Sequence, residues 1–316
     1  MIAAKVTHSV ATPNENLHPA TKSSSISPVQ PMKNILVALD FSGPSLPIIR
    51  AATRFADVLH ANLFVAHIFE YSDAGSRATG GIVEGLTELR QEAKRRLDDI
   101  VRGIHRKSKS MVAQAVMKDG LAAGTILEII QDKNIDLTIL GTKNHTGIER
   151  FVFGSTAEAV FRRASCPLLT IGPDVYIDKA VQPQAPIVFA TDLNPRFSQA
   201  IRYAAFLCKA FGAPLHCIEV LPSSINTHGA PIISEIMKEV VLKHFIEENG
   251  LNEKPVCSIA YGNEISEAIV KYVKGHKAQL IVLGVQRTST LASHLPAHIT
   301  YRIVAGASCP VLTVSS

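Results

Sequence analysis

Cysteine is scarce in this 316-residue sequence, and its pattern excludes two common roles. Only five cysteines are present, an odd number, and no two of them have C-x-x-C spacing. A disulfide scaffold and a structural zinc site are therefore not expected, because both need thiols at suitable paired spacings. We interpret the five residues as free thiols in a reducing cytoplasm: Cys166, Cys208, Cys217, Cys257 and Cys309.

Long apolar runs and clustered charges are also missing. No stretch of about 18 apolar residues occurs, so no membrane span is predicted. The N-terminal residues lack the sustained apolar region of a secretory signal. The net charge is +5, but the 32 Lys and Arg residues are spread along the chain. Because a nucleic-acid surface needs basic residues clustered on one face, neither a nucleic acid nor a membrane is a predicted partner.

Motifs of catalysis and metal binding are absent as well. The sequence contains no Walker lysine motif, no G-x-S-x-G elbow and no clearly paired carboxylates. His294 and His298 stand four residues apart, but no carboxylate motif accompanies them and Pro296 lies between them. We therefore predict no metal site and no dedicated catalytic residue.

What the sequence does contain is a globular composition after a different N-terminal segment. Apolar residues make up 47% and charged residues 19%, and 316 residues suffice for two average domains. Residues 1–31 are rich in Pro, Ser, Thr and Asn, and they are predicted to form a disordered tail. Met32 directly precedes the first apolar run and is a candidate translation start.

Beyond Met32, short apolar runs alternate with segments of helical periodicity. This alternation predicts a parallel sheet with helices on both faces, built through right-handed crossovers. The predicted strands lie near residues 35–39, 63–69, 112–117, 135–141 and 168–171. The predicted helices lie near residues 45–60, 84–104, 121–132 and 154–164.

The pattern then repeats after a proline-containing linker at residues 174–186. Ile187–Asp192 (IVFATD) echoes Ile35–Asp40 (ILVALD), and ASCPVLTV near the end echoes the earlier ASCPLLTI. Such self-similarity indicates an internal duplication. We predict one domain at residues 32–173 and a second at residues 187–316.

The spacing within the two copies is also identical. Cys166 follows Gly141 by 25 positions, and Cys309 follows Gly284 by the same 25. In a doubly wound sheet, ligands bind beyond the carboxyl ends of the strands. Asp40 and Gly141 end the first and fourth strands, so both are candidate site residues.

A possible phosphate site follows the fourth strand. Nine residues separate Asn144 from Gly154, and Gly154-Ser155-Thr156 then opens a predicted helix. A helix N-terminus carries partial positive charge and unpaired amides, which bind phosphate. The alternative is that Ser155 or Thr156 merely caps the helix, and the residues alone leave both interpretations open.

Both halves resemble the universal stress protein family over nearly all of residues 33–316. The resemblance rests on the opening strand ILVALDFSGPS, on the glycine-rich loop that ends in Gly154-Ser155, and on CPLLTI. The first half departs from the family pattern at Asn144, where a second glycine is usual. Asn tolerates positive φ better than most residues do, so the turn can survive.

The resemblance implies two tandem α/β domains, each a five-stranded parallel sheet of order 3-2-1-4-5. It also implies that the first domain binds an adenine nucleotide, ATP, with or without Mg²⁺. Carried over by position, the residues that would surround the nucleotide are Ala38, Asp40, Ile68, Leu140, Gly141, Asn144, Gly154, Ser155 and Thr156.

The second half departs further from the family pattern. Arg287 replaces the second glycine, and Ala297 and His298 replace the Gly-Ser pair. Side chains at these positions should crowd a phosphate, so we predict a degenerate loop. Another ligand, or a purely structural role beside the first half, stays open.

Three functions follow from these observations. The first is a nucleotide-binding sensor or regulatory module of the stress response, with a protein partner that the sequence does not name. The second is a weak Mg²⁺-dependent ATP hydrolase, and the third is a nucleotide-free tandem scaffold. The two halves are expected to pair within the chain, and a homodimer of such chains is equally open.

Overall fold

A computed structural model describes most of the chain outside the N-terminal segment. The described residues are 29, 31–41, 45–70, 81–108, 111–144, 151–152, 154–175, 184–193, 198–226, 240, 242–243, 246–247, 255–285 and 294–315. The predicted tail lies almost wholly outside these ranges. So do most of the predicted linker and most of residues 232–248, over which the sequence predicts a helix of the second half.

The first half alternates strands and helices as predicted. Its strands are β1 (Asn34–Ala38), β2 (Asn62–Phe69), β3 (Ala113–Asp119), β4 (Leu137–Gly141) and β5 (Leu168–Ile171). Its helices are α1 (Ser45–Leu59), α2 (Gly81–Lys107), α3 (Ala122–Asp132) and α4 (Ser155–Arg163). Strands such as β1 are short and continuously apolar because helices cover both faces of a parallel sheet.

The second half repeats this arrangement. Its strands are β6 (Ile187–Ala190), β7 (Leu215–Leu221), β8 (Val256–Tyr261), β9 (Leu280–Val285) and β10 (Val311–Ser315). The helices are α5 (Ser198–Phe211), α6 (Ile265–Gly275) and α7 (His294–Gly306), and a short 3₁₀ helix covers Ser223–Asn226.

All ten strands form one sheet, in the order β8-β7-β6-β9-β10-β5-β4-β1-β2-β3. Each half has the predicted order 3-2-1-4-5, and its internal pairings are parallel. The predicted fold class is therefore confirmed. The one antiparallel pairing within this sheet joins β5 to β10, and it fuses the two halves edge to edge.

The register of the β5–β10 pairing is the one expected when two equivalent strands are related by a two-fold axis. Leu169 faces Leu312, its own counterpart in the repeat, and Thr170 faces Val311 while Leu168 faces Thr313. The apolar cores on the two faces of the sheet each include residues of both halves. On one face, α1 meets α5 through Phe55 and Phe211, whose ring centroids are 4.9 Å apart.

Arg54 completes this contact between the halves. Its guanidinium lies 4.8 Å from the ring centroid of Phe211 and donates a hydrogen bond to Oε1 of Gln279. Burial lowers the pKa of Arg54 to about 10. The side chain stays charged at neutral pH, and its apolar stem and planar head fill the gap between α1 and α5.

Two equivalent threonines at the junction differ in their hydrogen bonds, which makes a matched test. Thr313 donates from Oγ1 to the carbonyl of Leu168 at 3.2 Å, whereas the buried Oγ1 of Thr170 has no partner among the described residues. We expect Thr313→Val to lower the free energy of unfolding by about 1 kcal/mol, because a made hydrogen bond is lost. Thr170→Val should be neutral or stabilising, because an unsatisfied hydroxyl is replaced by a methyl group.

Urea denaturation of the two variants beside the unchanged protein measures this difference. Equal destabilisation by both valines would contradict the assignment, since it would mean that Thr170 also makes a hydrogen bond in solution.

Candidate functional site

The structure brings the predicted apolar residues of the site together. Ala38 of β1 pairs with Leu140 of β4 on one side and with Ala66 of β2 on the other. Ala38, Ile68 and Leu140 belong to one apolar cluster on the sheet face that α3 and α4 cover. Ile68 is 9% exposed and Leu140 is 5% exposed, while Ala38 is half-buried. Together they form an apolar floor below the carboxyl ends of three adjacent strands.

Asp40 lies two residues beyond β1, at the same edge of the sheet, and is exposed. The residue after it, Phe41, has a left-handed backbone with φ of +57°. The sequence did not predict this turn, because Phe rarely adopts positive φ. Its counterpart in the second half, Leu193, also has a positive φ, of +61°.

Gly141 is the last residue of β4, as predicted, and it pairs with Ile171 of β5. A Cβ added at Gly141 would lie 2.3 Å from Cδ1 of Ile48 on α1. The glycine therefore lets α1 approach the end of β4 closely.

The loop after β4 folds back on itself. Lys143–Asn144 and Phe151–Val152 form a two-residue antiparallel ribbon, in which Asn144 pairs with Phe151. Asn144 thus takes part in backbone pairing. His145 and Arg150, which could add charge to the loop, lie outside the described residues.

Helix α4 begins at a glycine, which has no side chain to cap it. Its N-cap is Gly154, with φ of −55° and ψ of 146°, and among the described residues no side chain is seen to bond to the exposed amides. The first bond into the helix is from the Glu158 amide to the Gly154 carbonyl, at 2.9 Å. The alternative that Ser155 or Thr156 caps the helix is not realised. The amides of Ser155, Thr156 and Ala157 are left for a partner from outside the helix.

Helix α3 differs in this respect, although it also begins at the carboxyl edge of the sheet. Oε1 of Glu70, the residue after β2, accepts a hydrogen bond from the Ala122 amide at 2.6 Å. A carboxylate therefore already occupies the N-terminus of α3, where it also complements the helix dipole. Sequence reasoning missed Glu70, because its partner lies 52 residues away.

The charges on α4 pair with each other. Glu158 and Arg162 form an ion pair at 2.8 Å, one helical turn apart. The hydrogen bond that Arg162 donates to Glu158 is the main reason that the pKa of Arg162 is raised. Glu158 is thus engaged on the helix surface, as its spacing suggests, and it is not poised as a base.

The equivalent position in the second half is built differently. By the repeat spacing, Ala297 and His298 correspond to Gly154 and Ser155. Helix α7 begins earlier, at His294, so residues 298–300 lie inside the helix. Their amides bond to carbonyls four residues back and offer nothing to a phosphate. The side chains of residues 294–298 and all of residues 286–293, including Arg287, lie outside the described residues.

Two further observations limit the chemistry of the described residues. Within the ranges given above, no three His, Cys, Asp or Glu side chains are grouped so as to hold a metal ion. In the same part of the chain, no helix has the length and apolar character needed to cross a membrane.

Comparison with known proteins agrees with this architecture. The profile of the universal stress protein family matches residues 31–172 and again residues 185–315. Universal stress protein MJ0531 of Methanocaldococcus jannaschii is 30% identical over 143 residues, which are 44% of this chain and 81% of that protein. Universal stress protein YxiE of Bacillus subtilis is 26% identical over 143 residues, 43% of this chain and 97% of its own length.

Solved structures show the same fold at the scale of the whole chain. A universal stress protein from Archaeoglobus fulgidus aligns with a TM-score of 0.64 and 16% identity, over 90% of this chain and 96% of that one. Since the family profile matches both halves of the sequence, the chain belongs to the universal stress protein family and contains the family's domain twice.

Proposed function

We propose that the first half binds an adenine nucleotide, ATP, and acts as a regulatory module of the stress response. The observation that carries the proposal is the N-terminus of α4. There, three consecutive amides have no intrahelical partner, and no side chain among the described residues caps them. A helix terminus in this state suits the phosphates of a nucleotide.

The other candidate residues fit the rest of the ligand. The floor of Ala38, Ile68 and Leu140 suits the flat apolar faces of a purine. The Asp40 carboxylate only accepts hydrogen bonds when ionised, so it suits the ribose hydroxyls. Gly141, Asn144 and the Gly154–Thr156 segment would surround the phosphates.

Mg²⁺, if present, would arrive with the nucleotide, because the described residues offer no cluster of ligands for it.

The continuous sheet limits how the bound nucleotide can signal. Separating the halves would break the β5–β10 pairing and expose both shared cores. Nucleotide occupancy should therefore act on a protein partner near the carboxyl edge of the first half, through different affinities of the nucleotide for the two states.

A nucleotide-free scaffold is the second candidate. The early start of α7 supports it for the second half, since amides inside a helix would be unavailable to a phosphate there. In that case the repeat would serve only to complete the ten-stranded sheet.

Equilibrium titration with ATP, with and without Mg²⁺, tests the proposal. We expect one ATP bound per chain, and Asp40→Ala should weaken binding by about 10- to 100-fold, because hydrogen bonds to a charged group are lost. Asp192→Ala changes the equivalent carboxylate of the second half and should leave ATP affinity unchanged. No detectable binding at the highest ATP concentration would support the nucleotide-free scaffold. Repeated Mg²⁺-dependent hydrolysis of ATP would support the hydrolase.

A further inference from the structure

His67 contacts both neighbours of Asp40. Its Nδ1 lies 2.8 Å from the carbonyl oxygen of Leu39, the residue before Asp40. Its ring stacks on Phe41, the residue after Asp40, with centroids 4.4 Å apart and an interplanar angle of 26°. His67 is only 8% exposed, although it is polar. Since a buried polar group needs a hydrogen-bond partner, the contact with Leu39 fixes the ring in place.

Phe41 needs such support because of its backbone. A non-glycine residue at positive φ is strained by about 1 kcal/mol or more, and it persists only where its surroundings hold it. The guanidinium of Arg96 on α2 also lies over the Phe41 ring, 4.6 Å from the centroid. The left-handed turn is therefore held by side-chain contacts from β2 and α2.

The second half makes the same turn by other means. Leu193 has a φ of +61°, and its amide donates to Oγ1 of Thr191 at 2.9 Å. At the position equivalent to His67 stands Glu219. The turn after the strand-end aspartate thus belongs to the repeat, whereas the stack of His67 on Phe41 belongs to the half in which we place the nucleotide.

We propose that His67 and Phe41 are positioning residues that fix the direction of the Asp40 carboxylate in the crevice. The effect that we expect on ATP binding rests on the proposed nucleotide site, whereas the support of the turn at residues 40 and 41 does not. The two residues act through Asp40, and His67 is not itself a ligand, because it is buried and its Nδ1 is already bonded to Leu39. Removing the stack should leave the fold intact and loosen the backbone turn at residues 40 and 41.

Backbone relaxation by NMR tests the geometry without any ligand. In the unchanged protein the order parameters of residues 40 and 41 should be those of a rigid backbone, about 0.85, and in Phe41→Ala they should fall below about 0.6. Phe41→Tyr keeps the ring and should restore the order. Leu193→Ala is the matched control, since the turn there is held by Thr191. Unchanged order in Phe41→Ala would overturn the inference.

ATP titration of a double-mutant cycle tests whether Phe41 and His67 affect ATP binding through Asp40. Phe41→Ala and His67→Leu should each weaken binding by about tenfold in the natural background, and by less than about twofold when Asp40 is already alanine. Equal losses of ATP affinity in the natural and the Asp40→Ala backgrounds would show that the two residues do not act through Asp40. If the order falls as expected but the unchanged protein binds no ATP, the proposed function fails while the support of Asp40 stands.

Discussion

Gly172→Ala is expected to destabilise the protein by about 2–3 kcal/mol, because it over-packs the contact between the halves. Gly172 follows β5 and is buried. A Cβ at this position would lie 2.5 Å from the backbone carbonyl oxygen of Val304 in α7. Backbone cannot rotate away as a side chain can, so α7 or the end of β5 must shift. Chemical denaturation followed by circular dichroism measures the loss.

The same substitution elsewhere provides the control. Gly103 lies within α2, and a Cβ there would meet no atom within 4 Å. Gly103→Ala should stabilise the protein by about 0.5–1 kcal/mol, since alanine loses less conformational entropy in a helix. If Gly172→Ala proved as harmless as Gly103→Ala, α7 would not approach β5 as closely as the structure has it.

Ser155→Glu is expected to weaken ATP binding by at least about 100-fold while leaving the fold as stable as before or slightly more so. Ser155 is the exposed first residue of α4. A carboxylate there complements the helix dipole by about 0.3–1 kcal/mol, but it occupies the same positive end that the phosphates would use. Stability and binding therefore move in opposite directions, which simple misfolding cannot produce.

Ser155→Gln separates charge from size. The glutamine has nearly the same shape as glutamate but no charge, so its ATP affinity should stay within about fivefold of the unchanged protein. Isothermal titration gives the affinities, and thermal unfolding gives the stabilities. ATP binding that survives Ser155→Glu would place the phosphates away from α4 and contradict the proposed site.

Much of the fold could be predicted from the sequence because its signals are local. Each buried strand is a short apolar run, and the equal spacing from Gly141 to Cys166 and from Gly284 to Cys309 reveals the repeat. Once the family resemblance was recognised, the strand order followed. The residues carried over to the apolar floor do lie together, as Ala38 and Leu140 show by their direct pairing.

The rest depends on contacts between distant residues, which no local pattern encodes. The amide of Ala122 donates to Glu70, and Gly141 lies against the side chain of Ile48 on a helix from much earlier in the chain. The left-handed turn at Phe41 contradicts the preference of its own residue type, since tertiary contacts hold it. The antiparallel pairing of β5 with β10 also has no local signal in the sequence, because each of these strands is already paired within its own half.

This fusion has a consequence for the newly made chain. Leu168 and Thr313 are hydrogen-bonded across the junction but stand 145 residues apart. At ordinary rates of translation, β5 is synthesised roughly 10–30 s before its partner strand exists. During that interval a nascent first half would present an open strand edge, to which β10 of another molecule could add as readily as its own. Slow or interrupted synthesis should therefore favour strand-exchanged oligomers.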